Sequence, residues 1–91
     1  MPAATVNVLF FARARELAET STTHLTLDAS PSPPTVADAR ARLEKDFPAL
    51  VTVLHTAIFA LNRAYVHRDA ERETALRDGD DLAVVPPISG G

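Results

Sequence analysis

Apolar residues follow a strand-like alternation at the start of the chain. The segment Thr5–Phe11 (TVNVLFF) is rich in β-branched and aromatic residues, and apolar side chains fall on both of its faces. Apolar residues on both faces are typical of a central strand. The next segment, Ala12–Ala18, consists largely of helix-forming residues and predicts a short helix. After a polar turn at Thr20–Thr23, the alternation in His24–Leu27 predicts a second strand that pairs with the first.

The clearest helix of the sequence begins after Thr35. This threonine is a good N-cap, and Asp38 three residues later gives a weak form of the capping box. Apolar residues then recur at helical spacing and form a stripe: Val36, Ala39, Leu43 and Phe47. Pro48 predicts the end of the helix. The short apolar segment Ala49–Leu54 predicts one further helical turn that feeds the core.

Three more strands are predicted in the second half of the chain. Ala57–Leu61 and Tyr65–Val66 flank a tight turn at Asn62-Arg63, and Asp81–Val85 follows a turn that contains Gly79. The order β, α, β, α, β, β, β predicts an α+β roll, with a mixed sheet of about five strands packed on one main helix. Because the first and last strands are the most apolar, we expect them side by side in the middle of the sheet. We expect residues 1–85 to form one domain and residues 86–91 an extended, flexible tail.

Composition narrows the class of protein. A chain of 91 residues forms one modest core and leaves little room for an enclosed substrate cavity. There is no cysteine, which excludes disulfides, thiolate nucleophiles and cysteine-ligated zinc. The net charge of −3 argues against a nucleic-acid partner, and no apolar run is long enough to span a membrane. We therefore expect a cytoplasmic protein that contacts neither nucleic acid nor membrane.

The sequence offers no self-contained active site. The histidines have no metal-ligand spacing relative to one another, so we expect no metal and interpret them as surface or strand-face residues: His24, His55 and His67. The acidic turn around Gly79 lacks the twelve-residue pattern of a calcium loop. The arginines of the two predicted helices have carboxylates nearby, and we expect them on solvated helix faces: Arg13, Arg15, Arg40 and Arg42.

The C-terminal tail, residues 86–91, carries the most unusual pattern. Two of the three glycines are Gly90 and Gly91, and Pro86-Pro87 favours a stiff, extended departure from the last strand. A glycine tip can enter a channel too narrow for any Cβ atom. The α-carboxyl group of the tip is ionised at neutral pH and is a poor electrophile, so it must be activated, most simply as an acyl adenylate. The alternative is an ordinary frayed terminus.

Several segments resemble one family. Leu76–Gly91, with its Pro-Pro-Ile-Ser-Gly-Gly ending, is similar to the ubiquitin-like sulfur carriers of the MoaD/ThiS family, in particular the small subunits of molybdopterin synthase. Val8–Ala12, Arg15–Leu17 and Asn62 also match, and the resemblance covers essentially the whole chain. It implies the β-grasp (ubiquitin-like) fold.

The resemblance also implies a chemistry that takes place at Gly91. An E1-like activating enzyme uses ATP to adenylate this residue, and a sulfurtransferase converts it to a thiocarboxylate. The large synthase subunit then receives the tail, and sulfur passes to cyclic pyranopterin monophosphate to form the dithiolene of molybdopterin. The family assembles as a heterotetramer of two small subunits on a large-subunit dimer. The carrier itself binds no cofactor and is a sulfur-donor subunit without catalysis of its own.

The resemblance assigns the remaining site residues to partner binding. Gly90 gives clearance at the tip, and the rest of the tail enters the large subunit: Ser89, Ile88, Pro87 and Pro86. Phe11 and Val85 contribute an apolar patch for the partners, although some relatives carry an aromatic residue where Val85 stands. Core packing of both residues is the alternative.

Other functions remain open from sequence. A carrier for thiazole synthesis shares the Gly-Gly ending. A protein modifier would form an isopeptide bond through Gly91, and an interaction domain with a frayed end would need no chemistry at all.

Overall fold

The computed structural model describes residues 2–87 and shows a five-stranded sheet with helices on one face. The strands are β1 (Ala3–Phe10), β2 (Thr22–Asp28), β3 (Ile58–Leu61), β4 (Ala64–Val66) and β5 (Asp81–Val85). The α-helices are α1 (Ala12–Ala18), α2 (Val36–Asp46) and α3 (Val51–Leu54), and 3-10 turns occupy Pro48–Leu50 and Arg68–Glu73. The predicted α+β roll and its order of elements are confirmed.

The strands lie in the order β2-β1-β5-β3-β4. β1 and β5 pair in parallel, with Val8 opposite Leu82, and the other neighbouring pairs are antiparallel. The expectation that the first and last strands are neighbours inside the sheet is confirmed. Their inward side chains explain this position, because Val8, Leu82 and Val84 are completely buried.

The core lies between the helices and one face of the sheet, which we call the inner face. The inner face contributes Val6, Val8, Phe10, Phe59, Leu82 and Val84. The helices contribute Ala14, Val36, Ala39, Leu43 and Leu54. The opposite, outer face is not covered by any element within residues 2–87.

Helix α2 begins and ends where the sequence predicts. The backbone N–H of Thr35 donates to Asp38 Oδ2 at 2.8 Å, and the N–H of Asp38 donates to Thr35 Oγ1 at 3.3 Å. The weak capping box is therefore complete. The helix ends at Asp46, before Pro48, and the Phe47 ring meets Phe10 edge-on with centroids 5.4 Å apart.

The interpretation of Arg40 as a solvated helix residue was wrong. Its side chain is only 13% exposed and forms a two-point ion pair with Glu71, at 2.8 Å from Nε to Oε1 and 2.7 Å from Nη2 to Oε2. The guanidinium also donates to the carbonyl groups of Leu54 and Ala57 and lies 4.7 Å from the Phe59 ring centroid. The other helix arginines, Arg13, Arg15 and Arg42, are exposed or half-exposed, as predicted.

Two further local differences concern β2 and the 3-10 turn at Arg68–Glu73. The predicted polar turn at Thr20–Thr23 already belongs in part to β2, which begins at Thr22. The 3-10 turn was not predicted. It buries Glu71 beneath α2, where the carboxylate meets Arg40.

Candidate functional site: an apolar patch where the tail begins

The outer face of the sheet has an apolar end. In each strand every second side chain lies on the outer face, away from the helices. Near the C-terminal end of β5, the large side chains of this face are apolar. Phe11 is 49% exposed, Ile58 48% and Tyr65 75%. With the half-buried Val85, these residues form what we call the apolar patch. Because large apolar side chains are seldom left exposed together, the apolar patch is the candidate binding surface of the described residues.

Local backbone geometry brings the patch residues together. Phe11 follows β1 directly and keeps an extended conformation, and its N–H donates to the carbonyl of Val84 at 3.3 Å. It therefore continues the alternation of β1 onto the outer face, next to β5. Val85 lies opposite Ile58 in the last pair of the β3–β5 ladder. The structure thus places Phe11 and Val85, the two residues that the family resemblance assigns to a partner, on one face at one end of the sheet.

Two patch residues, Ile58 and Tyr65, were missed from the sequence. Ile58 was assigned to a strand without a face, and Tyr65 to a short strand after the turn. The available signal was the turn Asn62-Arg63, whose positive φ values of 48° and 74° fit a two-residue hairpin loop. Such a loop fixes the register, so that Tyr65 lies opposite Ala60 on the outer face.

The far end of the outer face is polar. Here Asn7 donates from Nδ2 to Asp81 Oδ1 at 3.0 Å, and the Thr5 and Thr26 hydroxyls lie 2.9 Å apart. Between the two ends is a hollow of about 230 Å³, lined by Leu9, Phe11, Ala60, Arg63, Asp81 and Ala83. Its apolar floor continues the apolar patch toward the middle of the sheet.

A hydrogen-bonded turn fixes where β5 begins. Asn62 donates to Asp80 Oδ1 at 3.0 Å and accepts from the N–H of Asp81 at 2.9 Å. Gly79, with φ of +89°, donates to the carbonyl of Thr5 at 2.8 Å, and Asp78 Oδ1 accepts from the N–H of Thr5. The acidic turn is thus hydrogen-bonded to Thr5 of β1 and to Asn62, which follows β3, just before β5 begins. By fixing the start of β5, it also fixes where the tail leaves the sheet.

The tail is described only at its root. Pro86 is buried and Pro87 is exposed. The predicted site residues Ile88, Ser89, Gly90 and Gly91 lie outside the described residues.

The described residues hold no candidate metal site. His24, His55 and His67 are all exposed. Within residues 2–87 there is no group of three His, Cys, Asp or Glu side chains that could hold a metal ion. No helix in that range is long and apolar enough to cross a bilayer. The candidate features of the described surface are therefore the apolar patch and the root of the tail.

The chain is similar in sequence to one family model and to several known proteins. The model of the ThiS family matches residues 8–91. A molybdopterin synthase sulfur carrier subunit of Chlamydomonas reinhardtii is 41% identical over 86 residues, covering 94% of this chain and 98% of that protein. The protein of the same name from Drosophila yakuba is 38% identical over 90 residues, covering 99% and 94%.

Solved structures share the fold over nearly the whole chain. The small archaeal modifier protein 1 of Methanosarcina acetivorans has a TM-score of 0.79 and 27% identity and covers 100% of both chains. A chain in the complex of subunits 1 and 2 of the molybdopterin-converting factor of Helicobacter pylori has a TM-score of 0.64 and 26% identity, covering 96% of this chain and 99% of that one. The fold is the ubiquitin-like β-grasp.

Proposed function

We propose, from the premise that this chain belongs to the ThiS family, that it is the sulfur carrier subunit of a molybdopterin synthase. The relatives with that name align with 94% and 99% of the chain, at 41% and 38% identity. The structural observation that carries the proposal is the apolar patch at the root of the tail. It is a binding face placed where a partner can hold the domain and receive residues 86–91 at the same time.

The chemistry takes place at Gly91, whose α-carboxyl group must be free. One carboxylate oxygen attacks the α-phosphate of ATP on an activating enzyme, which forms an acyl adenylate and releases pyrophosphate. Sulfide then attacks the acyl carbon, AMP leaves as the bond to its phosphate oxygen breaks, and loss of a proton leaves a thiocarboxylate. ATP is a substrate of the activating enzyme and no resident cofactor of the carrier. We place this chemistry in the cytoplasm, where ATP is supplied.

The partner that accepts the sulfur carrier is the large synthase subunit. A similar chain in Helicobacter pylori was solved as a complex of subunits 1 and 2 of a molybdopterin-converting factor. In the proposed complex, a heterotetramer, the large subunit covers Phe11, Ile58, Tyr65 and Val85. The tail enters its channel, and Gly90 and Gly91 pass where a Cβ atom would not. The sulfur then moves to cyclic pyranopterin monophosphate.

A second candidate function is protein modification. The similarity to small archaeal modifier protein 1 favours it, because that protein shares the fold over its whole length. In this case a lysine amine of a target protein displaces AMP from Gly91 and an isopeptide bond forms. Lysine adducts of the chain on other proteins would distinguish this function from sulfur transfer.

The test is the mass of the C-terminal tryptic peptide. Arg77 is the last cleavage site for trypsin, so the peptide is residues 78–91. The chain is incubated with ATP, a sulfur source and an activating enzyme, and replacement of oxygen by sulfur adds about 16 mass units. Oxidation of Met1 adds nearly the same mass to the intact chain. The peptide 78–91 contains no methionine, so a shift there reports sulfur.

Two controls make the result decisive. A chain extended by one residue after Gly91 displaces the carboxylate, and we expect no shift. The loaded carrier is then given cyclic pyranopterin monophosphate with the large subunit or, separately, the thiazole precursor with its synthase. Sulfur loss only in the first mixture supports the proposal. No shift with an activating enzyme that loads another carrier would contradict it.

A further inference from the structure

The two edges of the sheet differ in length. β4, at one edge, has three residues, whereas β2, at the other, has seven residues in unbroken register with β1. A strand at the edge of a sheet exposes backbone donors and acceptors to which another strand can pair. Short strands, prolines, bulges and basic side chains normally limit such pairing. β2 contains no proline, lysine, arginine or bulge, so its own sequence gives this edge little protection.

The hydrogen bonds between β1 and β2 show which backbone groups of β2 point to the free edge. The N–H of Phe10 donates to the carbonyl of Ser21, and the N–H of Ala29 donates to the carbonyl of Pro2. Because hydrogen-bonded pairs alternate along an antiparallel ladder, the odd-numbered residues of β2 bond to β1. The even-numbered residues direct their N–H and C=O groups outward: Thr22, His24, Thr26 and Asp28.

One side chain of α2 lies over the middle of this edge. Arg42 donates from Nη1 to the carbonyl of Thr26 at 3.3 Å, and Asp46 accepts from Nε of the same guanidinium at 3.1 Å. Within residues 2–87, the outward N–H and C=O groups of the neighbouring His24 have no hydrogen-bond partner. The central backbone groups of β2 are therefore shielded at Thr26 and available at His24.

A second copy of this chain is the partner whose backbone complements this edge. When β2 pairs antiparallel with β2 of another copy about Leu25, the outward residues meet one another: Thr22 with Asp28, and His24 with Thr26. No two like charges lie opposite each other in this register. The N–H of His24 then donates to the Thr26 carbonyl of the other copy, which is the group that Arg42 occupies.

We propose that the outward edge of β2 is a strand-pairing surface for a second copy of this chain, and that Arg42 limits this pairing by holding the carbonyl of Thr26. The inference goes beyond the proposed function and does not rest on it, since it needs neither the apolar patch nor a reaction at Gly91. In the parent chain each copy blocks one central hydrogen bond of the pairing, so the domain stays mainly monomeric. Removal of the guanidinium frees both carbonyl groups, and edge-to-edge dimers form.

Sedimentation equilibrium of the full chain measures the association. We expect Arg42→Ala to lower the dimer dissociation constant at least tenfold relative to the parent chain, because two hydrogen bonds are regained. The matched control is Arg13→Ala, which removes the same charge from an exposed position of α1 and should associate like the parent chain. An equal gain in both variants would show that net charge, and no feature of the β2 edge, controls the association.

A second substitution locates the contact. The N–H of Thr26 points outward, so Thr26→Pro removes a donor from the free edge and leaves the hydrogen bonds to β1 in place. Combined with Arg42→Ala, it should return the dissociation constant to that of the parent chain. A double variant that still dimerises as tightly as Arg42→Ala would overturn the proposal, because the contact would then lie on another surface.

Amide hydrogen exchange provides a readout that does not depend on the proline variant. In Arg42→Ala, exchange at His24 and Thr26 should slow as the protein concentration rises. Tyr65 is the control, because the registers of β3 with β4 and β5 direct its N–H toward the other free edge of the sheet. Slowing at Tyr65 alone, or at neither edge, contradicts the proposal.

Discussion

At the scale of single residues, the least expected feature is the ion pair between Arg40 and Glu71. The side chains are 13% and 7% exposed, and the arginine uses three nitrogens on the carboxylate and two carbonyl groups. Each of the two buried charges is therefore compensated by its partner's opposite charge and by hydrogen bonds. The pair joins α2 to the 3-10 turn at Arg68–Glu73, whose one buried residue is Glu71.

Removing one partner of this pair is expected to be costly. In Glu71→Ala the buried guanidinium loses its counter-charge, and we expect the free energy of unfolding to fall by about 3 kcal/mol. Urea denaturation followed by circular dichroism measures this. The matched control is Asp46→Ala, which breaks the more exposed pair with Arg42 and should cost less than about 0.5 kcal/mol. Equal losses in both variants would show that the burial of the pair has no energetic importance.

Tyr65 gives the cleanest test of the apolar patch. At 75% exposure it contributes little to the core, so Tyr65→Glu should change the free energy of unfolding by less than about 0.5 kcal/mol. A charge that becomes buried in a protein interface is costly, and we expect the affinity for the large subunit to fall at least tenfold, about 1.4 kcal/mol.

Calorimetric titration of the large subunit measures that affinity. His24→Glu is the control, since it introduces the same charge on the exposed edge strand β2, outside the patch. If both variants bind equally well, the large subunit does not use Tyr65.

At the scale of elements, local chemistry determines most boundaries. The capping box of Thr35 and Asp38 starts α2, and Pro48 limits its length. Both signals act over a few residues and could be predicted from the sequence. The 3-10 turn at Arg68–Glu73 could not, because its sequence RDAERE has no apolar period and its one buried residue is a glutamate. Only the tertiary partner Arg40, 31 positions away, explains it.

Removal of the N-cap of α2 should lower the free energy of unfolding moderately. Thr35→Ala removes the acceptor of the Asp38 N–H, and we expect a loss of about 1 kcal/mol in the free energy of unfolding. Thermal and urea unfolding measure it. Thr52→Ala, at an exposed position inside α3, controls for the loss of a hydroxyl and should change stability by less than about 0.5 kcal/mol. A loss at Thr35 no larger than that at Thr52 would contradict the role of the cap.

At the scale of the whole molecule, the fold separates the core from the candidate site. The core lies on the inner face, and the apolar patch and the root of the tail lie outside it. The placement of Phe11 and Val85 in an apolar patch could be predicted from the family resemblance. That of Ile58 and Tyr65 could not, because their faces depend on the register of β3 against β4 and β5. The alternation of residues within one strand shows which side chains share a face. Only the pairing of that strand with its neighbours shows which of the two faces packs against the core.

Deletion of Gly90 and Gly91 tests this separation. We expect the free energy of unfolding to stay within about 0.5 kcal/mol of the parent chain, since no core residue is touched. Formation of the thiocarboxylate and synthesis of molybdopterin should be lost completely. Urea unfolding and a reconstituted synthase assay measure the two quantities. Residual synthesis by the shortened chain would contradict the assignment of the sulfur to Gly91.

The parallel pairing of β1 with β5 has a mechanical consequence. The two strands run in the same direction, so Ala3 and Val85 lie at opposite ends of the pair. A force that pulls these two points apart loads all the bridging hydrogen bonds in shear, and they must break together rather than one after another. The domain can therefore bear tension along its tail. A pull on the root of the tail, opposed by a hold on the start of β1, therefore does not peel β5 from β1 one hydrogen bond at a time.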